Sequence, residues 1–188
     1  MHSPSFSAVF EKLESSSSMI WTSLLTAIVV YVAVAYLGGI QVEDASLSSA
    51  APYIFPLLAL ANGLFAAVLS GKLLSKERIE KLYQETSGRG EALRERLMKG
   101  KSQSAREEIS QLSEEEVRLI GTAARILPLY VVPLAVAESV GIFGLVHAIL
   151  SGTPEVVFPY AVVAALLFLK NKPNLKSDLS KLDHLTSW

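Results

Sequence analysis

Residues 126–152 read ILPLYVVPLAVAESVGIFGLVHAILSG, and this stretch decides the fold class. Its one charged side chain is Glu138, in the middle of a run that is otherwise mostly apolar. The hydrocarbon core of a bilayer is about 30 Å thick and needs roughly 20 apolar residues in an α-helix. The stretch is therefore predicted to cross a membrane as a helix.

Three further stretches contain no Lys, Arg, Asp or Glu: Ser15 to Val42, Ala45 to Gly71 and Val156 to Leu169. The first two are long enough to span a bilayer. The third is short, and we expect Lys170 and Lys172 to extend their ammonium groups outward to complete it. The initial stretch is longer than the apolar region of a signal peptide, so we interpret it as a retained span.

The predicted fold class is all-α: a polytopic membrane protein with a four-transmembrane-helix bundle and a cytoplasmic helical segment between spans 2 and 3. The predicted segments are a cytoplasmic interfacial amphipathic helix at 1–18, span 1 at 19–38, an external loop at 39–50, span 2 at 51–71, a cytoplasmic helical region at 72–118, span 3 at 119–150, an external loop at 151–155, span 4 at 156–170 and a cytoplasmic amphipathic tail at 171–188.

Both terminal segments carry apolar residues at helical spacing. These residues are Phe6, Val9, Phe10 and Leu13 at one end, and Leu175, Leu179, Leu182 and Leu185 at the other. Amphipathic segments that adjoin a span usually lie flat in the membrane interface, which is the expectation here. Docking onto a partner protein is the alternative.

Between spans 2 and 3, basic and acidic residues alternate from Lys72 to Arg118. Such alternation is typical of solvated helices and not of a nucleic-acid surface. Two Ser residues are each followed by Glu three positions later, at 104–107 and 113–116. This spacing predicts two capping boxes, the second at the start of a helix that continues into span 3.

Orientation follows from the loops between the predicted spans. The loops Gly38 to Ala50 and Ser151 to Glu155 contain acidic residues and no Lys or Arg, so that every basic residue falls on the other side. Basic residues concentrate in cytoplasmic loops. The predicted localisation is a multi-pass membrane protein with cytoplasmic N and C termini.

Several classes of chemistry find no support in the residue types. The chain has no Cys, which excludes disulfides and thiolate sites. Its three His are far apart, without the clustering of a metal site. The glycines at 88–90 lack the spacing and the Lys of a phosphate-binding loop. We therefore expect no enzymatic activity, no catalytic residues, no metal and no cofactor, and we expect no nucleic-acid partner.

Small residues recur on one face of spans 2 and 3, at spacings of three and four. In span 3 they are Ala137, Gly141, Gly144 and Ala148, and in span 2 they are Ala59, Gly63, Ala66 and Ser70. Small residues let helix backbones approach closely in lipid. The two matching rows predict that spans 2 and 3 pack directly against each other.

One polar residue adjoins each row of small residues, Asn62 in span 2 and Glu138 in span 3. A charge at mid-membrane costs at least about 2.5 kcal/mol, so the expected resting state of Glu138 is the neutral acid. The neutral acid would donate to the Asn62 amide oxygen, or Ser139 would donate to the ionised form. Ion binding at these three residues is one hypothesis, and a purely structural bond between helices is the other. His147 is predicted on nearly the opposite helix face.

Residues 134–150, LAVAESVGIFGLVHAIL, resemble the carboxylate-bearing helix of rotary-ATPase proteolipids, the c subunits of F-type and vacuolar-type ATPases. The likeness lies in the Ala-Glu-Ser core and in an aromatic residue before Gly-Leu-Val. It implies that Glu138 is the ion-carrying carboxylate and that Ser139 is an accessory ligand in sodium-type members. Phe143 stands where sodium-binding members often have tyrosine, which favours a proton as the ion.

Three functions follow from these patterns. The first is an integral membrane subunit that acts in proton translocation through Glu138. The second is a non-enzymatic scaffold or accessory subunit of a larger membrane complex, docking through its cytoplasmic helices. The third is a small proton-coupled transporter. The predicted partners are the lipid bilayer and either further copies of the chain or other membrane subunits.

Overall fold

The computed structural model describes residues 3–38, 45–86, 88–100 and 102–182, and within them it contains helices and no β-strand. The elements are α1 (Pro4–Leu37), α2 (Ala45–Leu73), α3 (Lys76–Thr86), α4 (Gly90–Met98), α5 (Gln103–Ser110), α6 (Glu114–Ser151), a 3-10 turn (Pro154–Val156), α7 (Val157–Lys170) and α8 (Leu175–Leu179). The all-α prediction is confirmed.

In the described part of the chain, three helices are long and apolar enough to cross a membrane: α1, α2 and α6. Their most apolar windows have mean hydropathies of 2.0, 1.9 and 2.0. These helices are what a membrane protein requires. The shorter α7 has 14 residues, about 21 Å at 1.5 Å per residue.

The chain divides into two compact units. The polar unit consists of residues 1–18, 72–129 and 173–188, and the apolar unit consists of residues 19–71 and 130–172. Every Lys and Arg belongs to the polar unit except Lys170 and Lys172. The two units therefore match the division of the sequence into charged and apolar stretches.

The N-terminal segment is the first half of a long helix and not a separate interfacial helix. Helix α1 runs from Pro4 to Leu37 because no Gly or Pro interrupts it between those residues. In the Ser-rich stretch, the hydroxyls of Ser16 and Ser17 donate to the backbone carbonyls of Lys12 and Glu14, at 2.8 and 2.7 Å. Such local bonds satisfy the hydroxyls within the helix.

The apolar faces of both termini are buried inside the polar unit, in contrast to the expectation that they lie in the membrane interface. Phe6 is 2% exposed, and Leu175, Leu179 and Leu182 are fully buried. Helix α8 packs on α3, and the Lys181 ammonium donates to the Leu74 carbonyl at 2.9 Å. The chain's own helices cover these faces, which removes the apolar area that an interface would otherwise bury. Leu185 lies outside the described residues.

The capping box predicted at Ser113 and Glu116 is confirmed. The Ser113 N–H donates to Oε2 of Glu116 at 2.8 Å, and the Glu116 N–H donates to the Ser113 hydroxyl at 3.2 Å. The Ser3 N–H, at the start of α1, donates to Oε1 of Glu116 at 2.6 Å. Burial alone would raise the pKa of Glu116, but the hydrogen bonds from Ser3 and Ser113 outweigh it and lower the pKa to about 2.

The capping box predicted at Ser104 is wrong. Helix α5 begins at Gln103, and the side chain of Ser102 caps it by accepting from the Ala105 N–H at 3.4 Å. Ser104 therefore lies inside the first turn, where its hydroxyl contacts that of Ser102 at 3.2 Å. A second Ser two positions upstream competes for the same role, and the spacing to Glu does not distinguish them.

The end of α6 is set by Gly152, which adopts a φ of +64°. The Thr153 N–H bonds the Ala148 carbonyl at 3.2 Å, and the Gly152 N–H bonds the Ile149 carbonyl at 3.4 Å. This pair of bonds is the Schellman arrangement, which requires a left-handed residue that glycine adopts without strain. Pro154 then starts the 3-10 turn that leads into α7.

Candidate functional site

The core of the apolar unit brings together side chains from α1, α2, α6 and α7. Its buried members are Ile28, Ala59, Ala66, Leu134, Ala137, Val140, Tyr160, Ala164, Leu167 and Phe168. Large apolar residues on the outer faces of these helices remain exposed, as lipid-facing positions would be. Glu138 lies on α6, beside this core.

Glu138 has one partner from a neighbouring helix, the hydroxyl of Tyr31 on α1. The Tyr31 hydroxyl donates to Oε1 of Glu138 at 2.6 Å. Glu138 is thirteen residues from both Arg125 and Ser151 on α6, about 20 Å in each direction. The carboxylate therefore lies in the middle of the apolar length of its helix.

Gly141 allows α1 and α6 to come close enough for this bond. A Cβ atom at Gly141 would lie 2.6 Å from Cδ1 of Ile28 and 3.2 Å from Cδ2 of Tyr31. Ile28 and Tyr31 are three residues apart, as are Glu138 and Gly141, so each pair shares one helix face. The contact between the two faces places the Tyr31 hydroxyl on Glu138.

Sequence reasoning did not identify Tyr31. The available signal was a phenol inside an apolar span, because a buried Tyr hydroxyl usually finds a hydrogen-bond partner. The hydropathy pattern does not show which helices pack together, so it could not show that α1 lies against α6.

The predicted partners of Glu138 bond to their own helices instead. The Asn62 amide donates to the Leu58 carbonyl at 3.0 Å, and the Ser139 hydroxyl donates to the Val136 carbonyl at 2.7 Å. Both bonds follow the local back-bonding of polar side chains to a preceding turn. The structure therefore replaces the predicted Asn62–Glu138 and Ser139–Glu138 bonds with the Tyr31–Glu138 bond.

The three glycines of the two rows contact helices other than the predicted partner. Gly141 packs on α1, whereas a Cβ atom at Gly144 would lie 2.5 Å from Cβ of Tyr160 on α7. Gly63 on α2 also faces α7, because a Cβ atom there would lie 3.8 Å from Cδ1 of Leu167. A helix with close neighbours on two sides uses glycines one turn apart for different partners.

The remaining members of the two rows are all at least partly buried. Ala137, Ala148, Ala59 and Ala66 are buried, and the partly buried Ser70 donates to the Ala67 carbonyl of its own helix at 3.5 Å. Aromatic rings also join α2 and α6. The Phe55 ring lies 6.4 Å from that of Phe143 and 5.9 Å from that of His147, between centroids.

A second polar pair joins α6 to α7. Nδ1 of His147 and the Tyr160 hydroxyl are 2.8 Å apart, and both side chains are buried. His147 is nine residues from Glu138, which turns it to the opposite side of the helix, as predicted. Helix α6 thus meets one tyrosine on each of two flanking helices, at two separate places.

Within the described residues, no group of three or more His, Asp or Glu side chains could hold a metal ion. Compared with protein-family models, with curated proteins and with solved structures, the chain gave no match. The likeness of residues 134–150 to rotary-ATPase proteolipids therefore stays a prediction.

Proposed function

We propose that the chain is a multi-pass membrane protein that binds and releases a proton at Glu138 as part of proton translocation. The observation that carries this proposal is the 2.6 Å bond from Tyr31 to Glu138, midway along an apolar helix. Ionisable residues within spans are rare and costly, and they usually belong to ion or proton pathways.

The chemistry of the pair suits a site that changes its protonation state. A phenol is both a donor and an acceptor, and a carboxylic acid has an O–H donor and a free acceptor oxygen. Tyr31 can donate to Glu138 whether the carboxyl group is ionised or neutral.

We further propose four spans, formed by α1, α2, α6 and α7, with both termini in the cytoplasm. The polar unit supports this topology because it gathers three separate stretches of chain, joined by bonds such as Ser3 to Glu116 and Lys181 to Leu74. We propose that each of the two apolar stretches between them, residues 19–71 and 130–172, crosses the membrane and returns to the same side. For residues 130–172, we assign the return to α7. The polar unit also contains the basic residues expected on the cytoplasmic side.

The contacts at the end of α7 support its role as the fourth span. The Trp21 indole N–H donates to the Phe168 carbonyl at 2.8 Å, which satisfies a backbone acceptor in the last turn. The Lys170 ammonium donates to the Ala67 carbonyl at 3.2 Å, and that of Lys172 lies 5.6 Å from the centre of the Trp21 ring. Trp and Lys at a helix end are typical of a membrane–water boundary.

Labelling with a hydrophobic carbodiimide tests proton binding, because this reagent reacts with protonated carboxyl groups inside membranes. We expect labelling of Glu138 in native membranes, with suppression at alkaline pH. Glu138→Gln should abolish it, and Glu155→Gln, at an exposed acidic residue of the 3-10 turn, should not. A wild-type chain that takes up no label contradicts the proposal.

Proteoliposomes test translocation itself. Under an imposed pH gradient, the wild-type chain should dissipate the gradient faster than Glu138→Gln, as measured with an entrapped pH-sensitive dye. If the pH gradient dissipates at the same rate with both proteins, Glu138 does not translocate protons and has a structural role. Mass measurement in mild detergent adds the assembly state, since a proteolipid-like subunit should form a ring of copies.

A second candidate function is a scaffold or accessory subunit that docks through the polar unit. Helix α4 favours it, because none of its described residues is buried within the chain. For this function, Glu138→Gln should leave the activity of the complex intact, whereas deletion of residues 88–113 should prevent its assembly. Co-purification of the complex with each variant distinguishes the two functions.

A further inference from the structure

A cavity of about 590 Å³ lies within the apolar unit, between α2, α6 and α7. This volume falls within the range of small-molecule sites, about 300–1,000 Å³. The cavity is lined almost entirely by carbon atoms, and its polar side chains are His147 and Tyr160. Glu138 is not part of the lining, so that this site is separate from the proposed proton site.

The polar and apolar parts of the lining are ordered along the helices. His147 is four residues from the end of α6, and Tyr160 is in the first turn of α7. The lining continues down α7 to Leu167, seven residues further, or about 10 Å. The polar pair therefore lies near one set of helix ends, and the apolar lining extends from there along the spans as far as the last turn of α7.

The open side of the cavity is formed by exposed apolar side chains. Leu60 and Leu64 are each 61% exposed and Val163 is 44% exposed, and all three line the cavity. Water would be a poor solvent for this surface, whereas lipid chains match it. An occupant would enter sideways from the bilayer, with its polar group at the level of the helix ends.

We propose that the cavity binds one phospholipid, with an ester carbonyl at His147 and an acyl chain along Gly63 and Val163. When the Tyr160 hydroxyl donates to Nδ1, the neutral imidazole carries its proton on Nε2. Nε2 is then the donor for the carbonyl. A phospholipid has the same order of groups as the lining, with its ester carbonyls near the membrane surface and its chains inside.

Gly63 leaves the space that the acyl chain requires. A Cβ atom there would meet nothing closer than 3.8 Å. The Cβ atom of Gly63→Leu is therefore accommodated at ordinary van der Waals distance, and because Gly63 lines the cavity, the added side chain should take up space there. Ala61 offers a matched control on the same helix, because it is exposed and does not line the cavity.

The test is a titration of the delipidated full chain with phosphatidylcholine in mild detergent, with the bound lipid counted by native mass spectrometry. The wild type and Ala61→Leu should each bind one lipid saturably, and Gly63→Leu should not. His147→Phe, which keeps an aromatic ring beside Phe55, should weaken binding about five-fold through the loss of one hydrogen bond. Equal binding by Gly63→Leu and Ala61→Leu would overturn the proposal, as would no saturable binding by the wild type.

Photolabelling of the wild-type chain gives a test that needs no variant. Phosphatidylcholine with a diazirine on its acyl chain should place its adducts on Leu64, Val163 and Leu167 in preference to Val29, which is 67% exposed on α1. Adducts spread evenly over the exposed apolar residues would contradict the proposal. Displacement of the lipid by an equimolar isoprenoid quinone would also contradict it, and would assign the cavity to quinones.

Discussion

Gly141 and Ile28 are packed so closely that a Cβ atom on the glycine would lie 2.6 Å from Cδ1 of the isoleucine. The same approach of α1 to α6 places the Tyr31 hydroxyl on Glu138, three residues before Gly141. A packing contact between two apolar helices thus creates the polar contact on which the proposed function rests.

Gly141→Ala should destabilise the chain by about 1–3 kcal/mol, the usual cost of overpacking. Ile28→Val removes the Cδ1 atom in conflict, so the double variant should recover part of this loss. Unfolding in detergent, by titration with dodecyl sulfate, measures each free energy. Gly71→Ala is the control, because nothing lies within 4 Å of a Cβ atom there. If the losses of unfolding free energy in the two single variants simply add in the double variant, the contact is contradicted.

Tyr31→Phe should destabilise the chain by about 0.6 kcal/mol, the average for hydrogen bonds between membrane helices, and by at most about 1.7 kcal/mol. The ring stays in place against Gly141, so the loss reports the hydroxyl. The same unfolding titration measures it. Tyr53→Phe removes a hydroxyl from a side chain that is 78% exposed and should have no effect. If the two variants lose equal stability, Tyr31 does not contribute through Glu138.

Glu116 should make the stability of the polar unit depend on acid pH. Its folded pKa of about 2 lies below the ordinary value of 4.5. The contribution is therefore complete above about pH 4.5 and is lost as the pH falls towards 2, up to roughly 3 kcal/mol. Hydrogen exchange of the first turn of α6 as a function of pH measures it.

Glu116→Gln should remove most of that pH dependence and lower stability at neutral pH. Glu115→Gln, at an exposed neighbour in the same first turn, is the matched control and should keep it. An unchanged pH profile in Glu116→Gln would show that other carboxylates cause the acid sensitivity.

Arg94 should hold the connection between α5 and α6. Its guanidinium group donates to the carbonyls of Ser110 and Leu112, each at 2.6 Å. Arg94→Met keeps an apolar stem and removes these bonds and the longer one to the Ile109 carbonyl at 3.4 Å. We therefore expect a loss of roughly 1–2 kcal/mol in local stability. Faster amide hydrogen exchange in α5 would report it. Arg96→Met, at an exposed position, is the control and should leave exchange unchanged.

Several features of this protein followed from local sequence alone. The apolar runs predict long helices because they are long enough to cross a bilayer, where a helix satisfies its own backbone hydrogen bonds. The capping box at Ser113 was predictable because its bonds join residues three apart. Glu138 was recognisable as a candidate site because it is a lone carboxylate in an apolar run.

Only the tertiary structure decided what these elements contact. It paired Glu138 with Tyr31, more than a hundred residues away, and left Asn62 bonded within its own helix. It turned Gly141 and Gly144 toward two different helices, and it buried the apolar faces of the described parts of both terminal segments inside the polar unit. Periodicity shows which face of a helix is apolar or small, but several helices can cover such a face equally well. The choice among them depends on the packing of the whole chain.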